Sequence, residues 1–300
     1  MTLLIAMPRR DVFHLVVDSL LTRNGRPVGD SPKRTQLTYD TLYGIASYTG
    51  VAALNQDKVE TSDWIADVLA AENVGRSPRF EELVQVLAVE ATRRFGPAKS
   101  ELTILIPAVE HGKPVIGMVS NTRTLEKVGE LRTRFVGSVR PSWGPDLITL
   151  GMAKAVEAAD RDLLETLSRV RLPRRFKNDD RERFEGFVQK TMRDVVVRAS
   201  TAEASKGTIG PDATGWTLTL SGVRGGGKGP IAPTAGSRHG NLLGRAGFLF
   251  RKKNRGEMTS DELNDALQEA MGWEKVRTLP DGTRVFKQGR ATRKLPPSGR

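Results

Sequence analysis

The spacing of apolar positions changes several times along this chain, and the changes divide it into elements. Residues 2–7 (TLLIAM) and 11–18 (DVFHLVVD) read as a strand pair joined across Pro8, Arg9 and Arg10. In the second of these, Val12, His14 and Val16 alternate with Phe13, Leu15 and Val17. Both faces are therefore largely apolar, the pattern of a strand covered on two sides. His14 reads as a core residue of that pattern, and Asp18 ends it. Asn24 and Gly25 mark a turn. Residues 34–38 and 41–48 form a second pair with Tyr39 and Asp40 at the bend. The first fifty residues predict mainly antiparallel pairing.

The period then lengthens to that of helices. Trp64, Ile65, Val68 and Leu69 follow a cap at Thr61 or Ser62. Leu83, Val84, Leu87, Ala91 and Phe95 follow a cap at Ser77, with Pro78 at the first helical position. Strands return at 102–108 and 114–119, a hairpin through His111 and Gly112, with another near 133–138 before the loop GSVRPSWGP. Residues 145–169 and 179–199 read as two more amphipathic helices, joined by a basic loop, and 214–221 as a last strand. Helices thus come in pairs between blocks of strands, which does not suit a doubly wound sheet. The predicted fold class is α+β, a four-layer αββα sandwich of two stacked antiparallel sheets between helix pairs.

Beyond residue 222 the composition changes. Residues 223–257 are rich in Gly, Arg and Lys and read as a linker. Residues 258–290 predict a helix and a hairpin turning at Asp281 and Gly282, and 291–300 a disordered tail. The main domain is accordingly 1–222. Charge follows the same division. The chain carries +12 overall, and residues 223–300 hold 16 basic against 7 acidic residues, leaving the remainder nearly balanced. An acidic partner such as nucleic acid is therefore expected at the tail alone. Contacts from Arg251, Lys252, Lys253 and Arg255 to phosphates would be salt-sensitive and unspecific.

Several chemistries are excluded. Cysteine is absent, so thiol catalysis, disulfides and Cys-based zinc sites fall away. The three histidines, His14, His111 and His239, are scattered and give no metal-ligand spacing. No apolar run is long enough to span a membrane, and the start of the chain lacks a signal-peptide pattern, so a cytoplasmic location is expected. GVRGGGKG at 222–229 approaches a phosphate-binding loop through Gly222, Gly227 and Lys228. Gly229 stands where that loop needs Ser or Thr, and Pro230 follows where a helix should start.

Thr2 remains as the candidate nucleophile. Removal of Met1 would place a hydroxyl and a free amine on one residue, a nucleophile with its own base. With no propeptide recognisable, maturation would rest on that removal. If the first two strands pair antiparallel, Asp18 approaches the chain start. A Lys held there by Asp18 would favour the alkoxide and disfavour protonation of the α-amine, whose ordinary pKa is about 7.7–8.0. Lys33 is followed by Arg34, and the sequence leaves open which of the two faces inward. Spacing alone is also compatible with Thr2, Asp18 and Lys33 merely capping strand ends.

Residues 1–50 resemble proteasome β-type subunits and the bacterial HslV peptidase, members of the N-terminal nucleophile hydrolases. Thr2, Asp18 with Ser19, and Lys33 fall on that family's catalytic positions, and RTQLTYDTLYGIASYTG resembles its next strand pair. The likeness in element order extends through residue 222. It implies a threonine-type hydrolase of peptide (amide) bonds that needs no cofactor or metal and assembles as a homo-oligomeric ring. It places Ser47 where a Gly supplies the oxyanion-binding N–H. The family's later Ser, in a Gly-Ser-Gly-Ser segment, aligns near GSVRP, which displaces Ser138 and implies Arg140 in its place. Glu203 corresponds to the family's acidic residue before the final strand, with Ser205 close by. The alternative is an inactive proteasome-like scaffold or RNA-binding assembly using the basic tail. Residues 258–290 resemble HicA-type RNA-cleaving toxins, with Arg284 in place of their His.

Overall fold

In the computed structural model the described residues are 2–9, 11–23, 26–52, 59–144, 146–170, 178–226, 234–236, 259, 261–262, 265, 274–279, 281–288 and 291–295. Six strands occupy the first fifty positions: β1 (Leu3–Pro8), β2 (Val12–Asp18), β3 (Leu20–Arg23), β4 (Arg26–Asp30), β5 (Arg34–Thr38) and β6 (Leu42–Gly50). Then come α1 (Thr61–Val68), α2 (Ala71–Val74), α3 (Phe80–Phe95), β7 (Leu102–Glu110), β8 (Lys113–Ser120), β9 (Val136–Arg140) and β10 (Ile148–Gly151). The chain continues through α4 (Ala158–Arg169), α5 (Asn178–Thr201), β11 (Ala213–Thr219), β12 (Gly222–Gly226) and β13 (Thr234–Gly236). Three strands close it: β14 (Glu274–Thr278), β15 (Arg284–Gln288) and β16 (Ala291–Leu295).

One sheet has the order β10-β1-β2-β11-β12 and a second β13-β5-β6-β7-β8-β9. Every pairing in them is antiparallel except β13 on β5. The period-2 pattern explains how both sheets bury two faces. Leu4, Ala6, Phe13, Leu15 and Val17 share one apolar cluster with Ile45, Leu105, Ile116 and Met118 of the second sheet. Leu3, Ile5, Met7 and Val16, pointing the other way, cluster with Val188, Met192, Val195 and Val196 of α5. Leu83, Val84, Leu87, Ala91 and Phe95 of α3 cover Ile104, Ile106, Ala108 and Val119 on the second sheet. The fold is a sandwich-type α+β arrangement. Among the described residues no helix is long and apolar enough to cross a membrane.

Four expectations need correction. Of the helix expected over 145–169, residues 146–157 are not α-helical. Ile148–Gly151 is an edge strand paired with β1, and the helix starts at Ala158. Gly151, at φ 76°, turns the chain out of that strand. Neither predicted serine or threonine cap acts as one. Glu60 and Arg79 precede α1 and α3, and Thr61 Oγ1 donates instead to Val51 O. Gly222–Gly226 pairs with β11 and Thr234–Gly236 with β5, so the stretch expected to be a linker from residue 223 carries edge-strand pairing. Ala291–Leu295, expected to be disordered, pairs antiparallel with β15. In the same region the hairpin about Asp281 and Gly282 forms as predicted. Thr259 and Glu262 cap a helix start reciprocally, Glu262 N–H donating to Thr259 Oγ1 and Thr259 N–H to Glu262 Oε2.

His14 is fully buried on the α5 side of β2. Its Nε2 lies 2.5 Å from Glu185 Oε2 and its Nδ1 3.1 Å from Thr217 Oγ1. Arg9 approaches the same carboxylate at 3.5 Å, and Gln189 Nε2 lies 3.4 Å from the ring. Burial pushes the imidazole below its ordinary value of 6.5, with the Glu185 contact opposing and Arg9 assisting. Protonation is thus harder in the fold than in the unfolded chain. Stability present above pH 6.5 is lost as pH falls towards the folded-state value. The urea midpoint should drop between pH 7 and about 5, and His14→Gln should flatten that slope; an unchanged slope would rule out His14 as its source.

Candidate active site

Everything predicted around Thr2 depends on where β2 ends. The β1–β2 register pairs Leu4 with Val17, which brings Asp18 beside the first residues of β1. Asp18 Oδ1 accepts the Leu3 N–H at 2.7 Å. Its Oδ2 accepts from Lys33 Nζ at 3.0 Å and from the Gly210 N–H at 3.3 Å. Asp18 and Lys33 are 0% and 1% exposed. One carboxylate therefore ties together the chain start, the strand entering the second sheet and the loop before β11. Lys33, not Arg34, is the basic residue that faces Asp18. Arg34 turns to β11, where its guanidinium donates to Thr214 Oγ1 at 2.8 Å.

Lys33 adopts a left-handed backbone, φ 42°, a region that non-glycine residues seldom occupy and that costs about 1–3 kcal/mol. Its carbonyl is gripped from β6, by the Ser47 hydroxyl at 2.9 Å and the Tyr48 N–H at 3.3 Å. Those bonds hold the turn that sends the ammonium to Asp18. Burial pushes Lys33 below its ordinary value of 10.5, and the contacts with Asp18 oppose that shift. Ser47 is itself buried, between β5 and β7 in the sheet.

Thr2 is buried, at 3% exposure, and its carbonyl accepts the Met152 N–H at 3.0 Å. Gly151 makes that approach possible. A Cβ there would stand 1.8 Å from Thr2 O and 3.4 Å from Thr49 Cβ. Ser19 extends the arrangement: its hydroxyl donates to Asp30 Oδ1 at 3.0 Å and to Asp212 O at 3.3 Å. Its carbonyl accepts the Ser31 N–H, which returns the β3–β4 hairpin to the site.

The remaining predicted residues stand elsewhere. Ser205 is buried, but its hydroxyl donates to Ser200 O at 3.0 Å and accepts the Gly207 N–H. It shapes the loop that carries Gly210. Glu203 is exposed on a short 3-10 turn. Arg140 donates to Trp143 O and Ser142 O, and Ser138 accepts the Leu125 N–H. Arg284 is buried in ion pairs with Asp261 at 2.9 Å and Asp265 at 3.2 Å. Arg251, Lys252, Lys253 and Arg255 lie outside the described residues. Among the described residues no cluster of three potential metal ligands occurs. Sequence reasoning missed Gly210 and Gly151, which act through backbone contacts with residues far away in the chain.

Asp18→Asn leaves a buried ammonium without its counter-charge and should lose about 3–5 kcal/mol in urea unfolding. Adding Lys33→Met to it should recover part of that loss; strict additivity would deny the coupling. Gly151→Ala should destabilise by more than about 1 kcal/mol, because both its φ and its neighbour reject a side chain.

No protein-family model matches this sequence, and no curated protein matches it either. Among solved structures it is similar to a Gly-1 mutant of Anbu from Hyphomicrobium sp. strain MC1, with a TM-score of 0.51 and 11% identity over 86% of this chain and 99% of that one. Anbu is a proteasome-related protein of the N-terminal nucleophile hydrolase kind. At that identity the likeness speaks for the fold alone, and the chain has a distant proteasome-like fold.

Proposed function

We propose that this chain is a threonine-type N-terminal nucleophile hydrolase that cleaves peptide (amide) bonds. The observation that carries the reading is the buried Asp18–Lys33 pair, fixed through the Leu3 N–H to the residue following Thr2. Removal of Met1 would free the Thr2 amine. The Thr2 hydroxyl would attack the substrate carbonyl and pass its proton to that amine, which would return it to the departing amine of the substrate. Lys33, kept cationic by Asp18, would favour the alkoxide and keep the α-amine unprotonated. Water would then release the acyl group. The four-layer αββα arrangement, the ring assembly, the cytoplasmic location and the separate C-terminal unit from residue 258 belong to the same proposal.

A second reading, a proteasome-like scaffold without peptidase activity, is favoured by the burial of Thr2 and the exposure of Glu203. Its RNA-binding form would use the basic tail. Two measurements separate the readings. Intact mass should show loss of Met1; a retained Met1 blocks the amine and sinks the hydrolase. An electrophile directed at N-terminal Thr should label the wild type and not Thr2→Ala; equal labelling of both would remove Thr2 as nucleophile. For the tail, RNA affinity should fall when residues 223–300 are deleted.

A further inference from the structure

The C-terminal strands β14–β16 separate charge by face. Register partners in an antiparallel sheet share a face, and successive residues alternate. Lys275 pairs with Phe286 and Thr278 with Arg284, so these four lie on one side. The acids gather there. Arg284 is paired with Asp261 and Asp265, and Lys275 Nζ donates to Asp265 Oδ2 at 2.6 Å. Arg277, two residues from Lys275, would share that side in a regular strand. The register shifts between the two, and Arg277 instead stands opposite Val285, on the outer side. Such a bulge re-aims a side chain. Lys294 also pairs with Val285, and Lys287 and Thr292 form the next row of the same outer side. Arg277, Lys287, Thr292 and Lys294 are exposed, whereas Val285 among them is 4% exposed. Long basic side chains beside a small apolar one cover it with their stems and keep their charges in water. Among the described residues none of the three bases makes an ion pair. Asp281 borders the face at the hairpin turn, in the field of Lys294, and its Oδ1 accepts the Thr283 N–H at 2.9 Å.

We propose that this outer face, through Arg277, Lys287 and Lys294, binds the phosphate backbone of an RNA duplex. The proposal rests on the reading in which the basic tail binds RNA, and it assigns that binding a surface. Neighbouring strands run about 4.8 Å apart, so Arg277 and Lys294 stand roughly 10 Å apart across the sheet, with Lys287 about 7 Å along it. Three exposed cations on one face complement a polyanion. Among the described residues of this unit the aromatic ring, Phe286, is buried on the opposite side. The outer face therefore gives single-stranded bases no platform to stack on, which points to a duplex. A face of three strands does not enter the deep major groove of B-DNA, which admits a helix or a two-stranded ribbon. The minor groove of A-form RNA is wide and shallow, and it displays 2′-hydroxyls that the exposed Thr292 hydroxyl can bond. The face does not depend on Thr2 being a nucleophile.

Fluorescence anisotropy of the full chain with a labelled RNA duplex of mixed sequence tests this. The wild type should bind saturably at low salt, and more tightly than it binds a DNA duplex or either RNA strand alone. The triple variant Arg277→Gln/Lys287→Gln/Lys294→Gln should bind at least about tenfold more weakly and reduce the slope of log affinity against log salt by about 2–3. Lys287→Arg/Lys294→Arg keeps both charges and should bind as the wild type does. Lys113→Gln/Lys127→Gln/Arg132→Gln removes three exposed bases outside the C-terminal strands and should leave affinity unchanged. An equal loss in that control would reduce the effect to net charge and overturn the site. Binding that is abolished by deleting residues 223–300 but untouched by the triple variant overturns this face and leaves the tail reading standing. A wild type that does not bind the RNA duplex overturns both. Equal or tighter binding of the DNA duplex or of a single RNA strand overturns the choice of partner. If the triple variant loses the C-terminal fold, Arg277→Gln and Lys294→Gln decide singly: unchanged affinity in both refutes the proposal.

Discussion

A buried carboxylate is the constraint on which this end of the molecule depends. Asp18 has left water and is compensated from three directions: by the Lys33 ammonium, by the Leu3 N–H and by the Gly210 N–H. A buried charge is tolerated only when its lone pairs are met in good geometry. The surrounding backbone is arranged to meet them. Lys33 takes a left-handed conformation, Ser47 and Tyr48 hold its carbonyl, and Gly210 comes close enough to donate. A Cβ on Gly210 would stand 2.7 Å from Leu20 Cβ, so only glycine permits that approach without displacing its neighbour.

The sandwich supplies the rigidity behind this arrangement. β1 and β2 carry apolar side chains on both faces, locking them between α5 and the second sheet. A one-residue slip of either would move every side chain to the wrong face. The register that sets Asp18 opposite Ala213 and close to Leu3 is therefore enforced by the core rather than by the polar groups. The α5 face of β2 carries a second polar group four residues before Asp18, His14 with Glu185, Thr217 and Gln189, which joins α5 to the sheet. It is separate from the Thr2 end, since no residue is shared between the two sets.

The basic residues divide by environment. Lys33 is matched by Asp18 and Arg9 by Glu185, while Arg34 is offered an aromatic face and one hydroxyl. Arg284, which replaces the His of the RNA-cleaving toxins that residues 258–290 resemble, has its guanidinium engaged with Asp261 and Asp265.

The alternation of Val12, His14 and Val16 with Phe13, Leu15 and Val17 sufficed to place a doubly covered strand, because a period of two is a local property. The paired helices between strand blocks were legible for the same reason, and with them the α+β class. The two residues Asp18 and Lys33 could be named from the resemblance. What failed was whatever depended on a distant partner. Ile148–Gly151 has apolar spacing that suits a helix, but the open edge of β1 captured it as a strand. Glu203, carried over from the resemblance, is exposed on a 3-10 turn. Gly210 and Gly151 have no side chain to announce a role, and act through backbone approaches across the fold. The choice between Lys33 and Arg34 was undecidable in one dimension. It turned on a left-handed φ at Lys33 and on a β11 partner 180 residues away from Arg34. Local periodicity thus determined the elements. Only the packed sheets decided which charges meet, because a buried charge settles where distant strands bring it an acceptor or donor.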